Sequence, residues 1–162
     1  MGDALVGATA TLFANAVSKA WPANNQAIYI PFRLSSPGLA RQFLFLVGAT
    51  SSGNIDIGIY TAQKNRIISA GSTAMSASTN TVQQINITDT WLNPGEYLLG
   101  VSCSTTTGTV FGLTFNDEIA LSMATTYEEA SALPLPATAT PAISTTATPL
   151  IPVVGIQFAG TF

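Results

Sequence analysis

The sequence predicts an all-β protein: an antiparallel β-sandwich that ends in an extended arm and a terminal strand. Three observations carry this. From Ala27 to Val110 the apolar residues recur with a period of two, the repeat of a half-buried strand. The strand-like segments follow one another every roughly 10 to 15 residues, which leaves no room for crossover helices and so implies antiparallel neighbours. Between Ser131 and Pro152 five prolines stand among Ala and Thr without one charged residue, and strand pattern returns over Val153 to Phe158. The chain of 162 residues suits a single core of this kind. It divides into a sandwich over 1–130, a Pro/Ala/Thr-rich arm over 131–152 and a terminal strand over 153–162.

Within the sandwich, Ile28, Ile30, Phe32 and Leu34 share one face of a strand, and Tyr29, Pro31 and Arg33 the other. Pro31 has no N–H for a ladder, which places this strand at an edge or a bulge. Gln42 to Ala49 is short and continuously apolar, as expected of a central strand buried on both faces. Ile55, Ile57 and Ile59 alternate with Asn54, Asp56, Gly58 and Tyr60, so this strand has a polar face that is a candidate for function. Gln63 to Asn65 reads as a turn into Arg66–Ala70, and Gly71 to Asn80 as a loop. Strands over Val82–Asp89 and Tyr97–Ser104 flank Trp91–Gly95, where Pro94-Gly95 suits a type II turn. A hairpin through Thr105–Thr107 then leads into Gly108–Leu113. The core is expected to hold Phe45, Ile57, Ile59, Ile85, Ile87, Leu99 and Val101.

Two segments stay open between helix and loop: Leu12 to Val17, and Asn116 to Tyr127, where Asn116-Asp117-Glu118 could cap a short helix. In the arm, proline at such density is expected to forbid helix and ladder alike, leaving polyproline or extended chain. Its 22 residues can reach roughly 70 Å, against about 37 Å for the width of the domain. The arm can therefore touch a neighbouring subunit. Leu133, Leu135, Ile143, Leu150 and Ile151 are its candidate contacts with a partner.

Composition narrows the chemistry. The chain carries five Lys and Arg and eight Asp and Glu, 8% of its residues, where soluble domains average about a quarter. With 22 Thr and 14 Ser its polar surface is mainly neutral hydroxyl, which suits contact with other protein. A net charge of −3, with Lys19, Arg33, Arg41, Lys64 and Arg66 scattered along the chain, speaks against nucleic acid as a partner. The absence of His removes the usual general base and the commonest zinc ligand. Cys103 lies in an apolar run and reads as a buried, inert thiol. No apolar stretch approaches the about 20 residues of a membrane helix, and the first residues, with an acid at Asp3 and Val6 in place of Ser or Thr, fit neither a signal peptide nor a myristoylation site.

Asp117/Glu118 and Glu128/Glu129 are adjacent acids, a spacing that seldom sets two carboxylates across a cleft as glycosidases need. Asp56 and Asp89 lack the spacing of a calcium loop, and no phosphate-binding glycine loop or nucleophile elbow is present. The reading is of a protein that is not an enzyme and needs no cofactor or metal. Trp21, Tyr60 and Trp91 are candidate ligand-facing aromatics for a second reading, a carbohydrate- or receptor-binding module of a tail fibre or secreted protein.

Three stretches resemble virion structural domains of tailed bacteriophages: Gly-Asn-Ile-Asp-Ile-Gly-Ile-Tyr60 with Arg-Ile-Ile-Ser-Ala-Gly-Ser72, Ile-Asn-Ile-Thr-Asp89 leading to Asn-Pro-Gly-Glu-Tyr-Leu-Leu99, and Ala-Leu-Pro-Leu-Pro-Ala137 before the arm. The resemblance implies a jelly-roll-like module of a phage particle, located on the capsid surface as a cement (decoration) protein, or else in a tail or fibre. It implies no catalytic residues. Cement proteins commonly occupy local threefold positions, so the expected partners are copies of the chain itself, as a homotrimer, and the major capsid protein or other virion proteins.

Overall fold

In the computed structural model, the described residues are 3–6, 16–114, 126–143 and 150–159. They form fourteen strands and no helix, and every ladder between the strands is antiparallel. The all-β expectation is met.

One sheet places β14 (Val154–Phe158) between β1 (Asp3–Val6) and β4 (Gly38–Leu46), with β8 (Val82–Leu92) at its far edge. The opposing sheet runs from β12 (Ala142–Ile143) through β11 (Tyr127–Glu129), β3 (Ala27–Leu34), β9 (Gly95–Cys103) and β5 (Asn54–Thr61) to β6 (Arg66–Ser69). A short β7 (Thr73–Ala74) also pairs with β5, inside the segment expected as a loop. A third sheet, β13 (Leu150–Pro152), β10 (Thr109–Thr114) and β2 (Val17–Ala20), joins the first through a bridge between Val47 and Val110.

The period-two residues supply the core. Phe43, Phe45, Ile85, Val154 and Ile156 from one side meet Ile28, Ile30, Ile55, Ile57, Ile59, Leu99 and Val101 from the other, all buried. Ile87 is half-buried against the same cluster. Cys103 is buried as expected, and burial pushes its thiol far above the ordinary range.

Several expectations need correction. β4 is central, but only one of its faces is buried: Leu44 and Leu46 are half-exposed because nothing described covers the other face of that sheet. β8 and β9 belong to different sheets, so Asn93-Pro94 is a corner between layers. Gly95 does not have the positive φ of a type II turn. Tyr97 fixes the corner by donating its hydroxyl to Asn93 O at 2.7 Å, the device that pins chain corners in other sandwiches. β10 pairs with β2 and β13, so Thr105–Thr107 does not close a hairpin with β9. Pro31 fits its expectation, since β11 pairs with Ala27–Tyr29 alone and leaves β3 an open edge beyond. Pro152 does enter a ladder, opposite Gly112, on an edge strand where one side needs no donor. The possible helices at Leu12–Val17 and Asn116–Tyr127 lie outside the described residues except for Ala16, Val17, Thr126 and Tyr127; Val17 and Tyr127 each open a strand.

Candidate functional site

The polar face of β5 is where the arm lands. Asp56, Gly58 and Tyr60 point away from the sandwich core, alongside Leu98, Gly100 and Ser102 of β9 and Ala27 and Tyr29 of β3. Gly58 stands directly opposite Gly100, so two neighbouring strands lack side chains at one level. A Cβ on Gly100 would come within 2.9 Å of the Tyr29 ring and 3.0 Å of the Tyr60 ring, and one on Gly58 within 2.9 Å of Ile68 O. The glycines make a trough, and the two tyrosines meet over it edge to face, with ring centroids 5.3 Å apart at 82°.

Residues 132–140 lie across this face as a strap. Ala132, Leu135 and Ala139 bury their side chains against Ala27, Tyr29, Tyr60 and Leu98. Asp56, fully buried, accepts Leu135 N–H at 3.0 Å and the Ser69 hydroxyl at 2.8 Å. Arg66 donates to Leu135 O from its guanidinium and to Ala137 O from its backbone. The Tyr60 hydroxyl donates to Pro136 O at 2.8 Å, and Ala139 N–H to Lys64 O at 2.9 Å. Glu129 ties the far end, accepting from the Tyr29 hydroxyl at 2.7 Å and from the backbone and hydroxyl of Thr140. Burial pushes the Tyr60 phenol up to about 12; burial and then the bond to Glu129 push Tyr29 higher still.

The expected contact residues of the arm therefore separate. Leu135 is buried beneath the strap, and Leu150 and Ile151 are buried in the sandwich core as part of β13. The expectation that these side chains await another subunit is corrected, because their own chain covers them. Leu133 is half-buried, and Ile143 projects with 70% of its surface exposed. The expected aromatic platform does not form either. Trp21 is buried, with its indole N–H donating to Gln26 O at 2.8 Å, and Tyr60 lies under the strap. Trp91 alone of the three is exposed.

The surface holds a pattern that sequence reading missed. Among the described residues, the exposed large apolar side chains are Val17, Ile67, Val82, Trp91 and Ile143. They stand on β2, β6, β8 and β12, each the terminal strand of its sheet among the described residues. These four strands contain three charged residues, Lys19, Arg66 and Asp89. Edge strands are normally blunted with charge or proline, because their free N–H and C=O groups invite pairing. Strand order cannot be read from one sequence, so the edges were not recognisable there. Among the described residues no three His, Cys, Asp or Glu side chains gather into a group that could hold a metal ion.

The chain matches no protein-family model, and comparison with curated proteins and with solved structures gives no match.

Proposed function

We propose that this protein is a non-catalytic structural subunit of a bacteriophage particle, a capsid cement (decoration) protein that joins its neighbours through sheet edges. The placement of the exposed apolar side chains on edge strands carries the reading. An edge of this character is a template for adding a strand from another chain, with main-chain hydrogen bonds giving affinity and alternate side chains giving fit. β8 is the longest, eleven residues with Asp89 its one charge, and it has Val82 near one end and Trp91 near the other. The neutral Ser/Thr surface and the phage-like motifs support the same reading, and a jelly-roll-like description of the sandwich belongs with it. The homotrimer is retained, with the edges and Ile143 as the contacts in place of the buried arm residues. The carbohydrate-binding alternative loses support, since two of its three aromatics are buried.

Mass spectrometry of purified virions tests the location, with many copies per particle expected for a cement protein. Light scattering of Val82→Lys and Ile67→Lys variants tests the edges. Loss of the oligomer with an unchanged β spectrum is expected; a wild-type chain that is monomeric and absent from virions would overturn the proposal.

A further inference from the structure

A hollow on the first sheet is built by irregular strand pairing. Arg41 of β4 has no partner in register on either side. On β14, the consecutive residues Gln157 and Phe158 oppose Gln42 and Ala40; on β8, Asn86 opposes Gln42 and Thr90 opposes Ala40, leaving Ile87, Thr88 and Asp89 unmatched. Both ladders shift at one residue. Bulges bend a strand and re-aim its side chains, and they are common beside binding sites. Here they bring consecutive residues, which a regular strand would send to opposite faces, onto one hollow of about 630 Å³. Arg41, Gln42, Asn86, Asp89, Gln157 and Phe158 are among its lining residues. That volume falls within the roughly 300–1,000 Å³ of small-molecule sites.

The lining has a definite chemistry. Gln157, Gln42 and Asn86 form one row across three strands. The Gln42 amide donates to the Asn86 carbonyl. Beside this row Arg41 Nε donates to Asp89 Oδ2 at 3.1 Å, with both side chains about half exposed. The two charges cancel, so neither a phosphate nor a free cation finds an uncompensated counter-ion. Carboxamides and a guanidinium–carboxylate pair instead present donors and acceptors side by side, the pattern that vicinal hydroxyls satisfy. Phe158 and Ile87 add apolar surface for C–H groups. The Phe158 ring packs onto Gly38, where a Cβ would lie only 2.6 Å from its Cδ1, so the glycine lets the ring lie against the backbone.

We infer that this hollow binds a neutral mono- or disaccharide through Gln42, Asn86, Gln157 and the Arg41–Asp89 pair, with Phe158 and Ile87 beneath the ring. The inference uses none of the expected aromatics and stands whether or not the chain is a cement protein.

Saturation-transfer NMR on the full chain, with glucose, galactose, mannose, rhamnose, N-acetylglucosamine, lactose and maltose as neutral probes and N-acetylneuraminate as an anionic one, tests it. At least one neutral probe should bind with a millimolar or tighter Kd. Gln42→Ala and Asn86→Ala should each weaken that binding by about tenfold, while Gln63→Ala on the β5–β6 turn leaves it unchanged. If Asn86→Ala lowers the Tm, Gln157→Ala reads the same hollow from another strand. No signal from any neutral probe at millimolar concentration, binding of N-acetylneuraminate alone, or full affinity in both Gln42→Ala and Gln157→Ala would each overturn the inference. Virion copy number is a separate readout, so this proposal and the structural role fail independently.

Discussion

The backbone N–H of Leu135 donates to the carboxylate of Asp56 at 3.0 Å, joining residues 79 positions apart in the chain. Asp56 is buried, and its other bond comes from Ser69, so its role is to hold the strap. Asp56→Ala strands a buried N–H and a hydroxyl, each worth about 1–3 kcal/mol unsatisfied. Urea unfolding should show a loss of about 2–5 kcal/mol, with a smaller loss for Asp56→Asn, which keeps one acceptor.

Leu135 and Ile143 should behave as opposites although both belong to the arm. Leu135→Ala removes a buried side chain and should destabilise the isolated subunit by about 2–5 kcal/mol. Ile143→Ser alters an exposed side chain and should stay within about 0.5 kcal/mol, while weakening oligomer or capsid binding. Paired denaturation and light-scattering measurements check both. Equal stability of the two variants would show that the strap does not stabilise the subunit.

The buried tyrosines set an alkaline limit. Tyr60, with its folded pKa raised by burial from the ordinary 10.0 to about 12, binds its proton more tightly in the folded state. That stabilisation is complete below pH 10 and is lost as pH rises toward 12, where the unfolded chain ionises first. Tyr29 shifts in the same direction and extends the loss. Melting temperature should therefore be insensitive to these groups near neutrality and fall above pH 10; Tyr60→Phe should flatten the fall.

Ser102 lies in register with Asp56, yet its hydroxyl is buried without a hydrogen-bond partner among the described residues. An unsatisfied buried hydroxyl opposes folding. Ser102→Ala should be neutral or stabilising by about 1 kcal/mol, read as a raised urea midpoint at constant slope. A loss above that size would mean the hydroxyl has a partner.

The inner faces were legible because one physical rule, burial at period two, wrote Ile55, Ile57, Ile59, Leu99 and Val101 into the sequence. The outer face obeyed a second rule that left a fainter trace. Asp56, Gly58 and Tyr60 resemble an ordinary solvent-facing pattern, and only their juxtaposition with Gly100 and Tyr29 reveals a trough for another segment. Leu135 looked like an unattached apolar residue because the partner that buries it lies far away in sequence. The Gln42–Asn86–Gln157 row was equally hidden, since it depends on two ladder shifts around Arg41. Phe45 is in the core as its sequence position suggests, but its neighbours Leu44 and Leu46 suggest a second covered face that the described sheet lacks.

The sheet order β1–β14–β4–β8 also has a consequence in time. β14 leaves the ribosome after every other described strand, yet it occupies the place between β1 and β4. Until it arrives, β4 has β8 on one side and an open edge on the other, and Phe43 and Phe45 lack their register partners Ile156 and Val154. The nascent chain thus cannot finish this layer step by step from its first strand; closure is a single late event that spans nearly the whole described sequence. Such non-local pairing is slow and leaves strand edges available to other chains meanwhile. A force-sensing arrest assay on ribosome-bound chains should register its main pull only once β14 has cleared the exit tunnel.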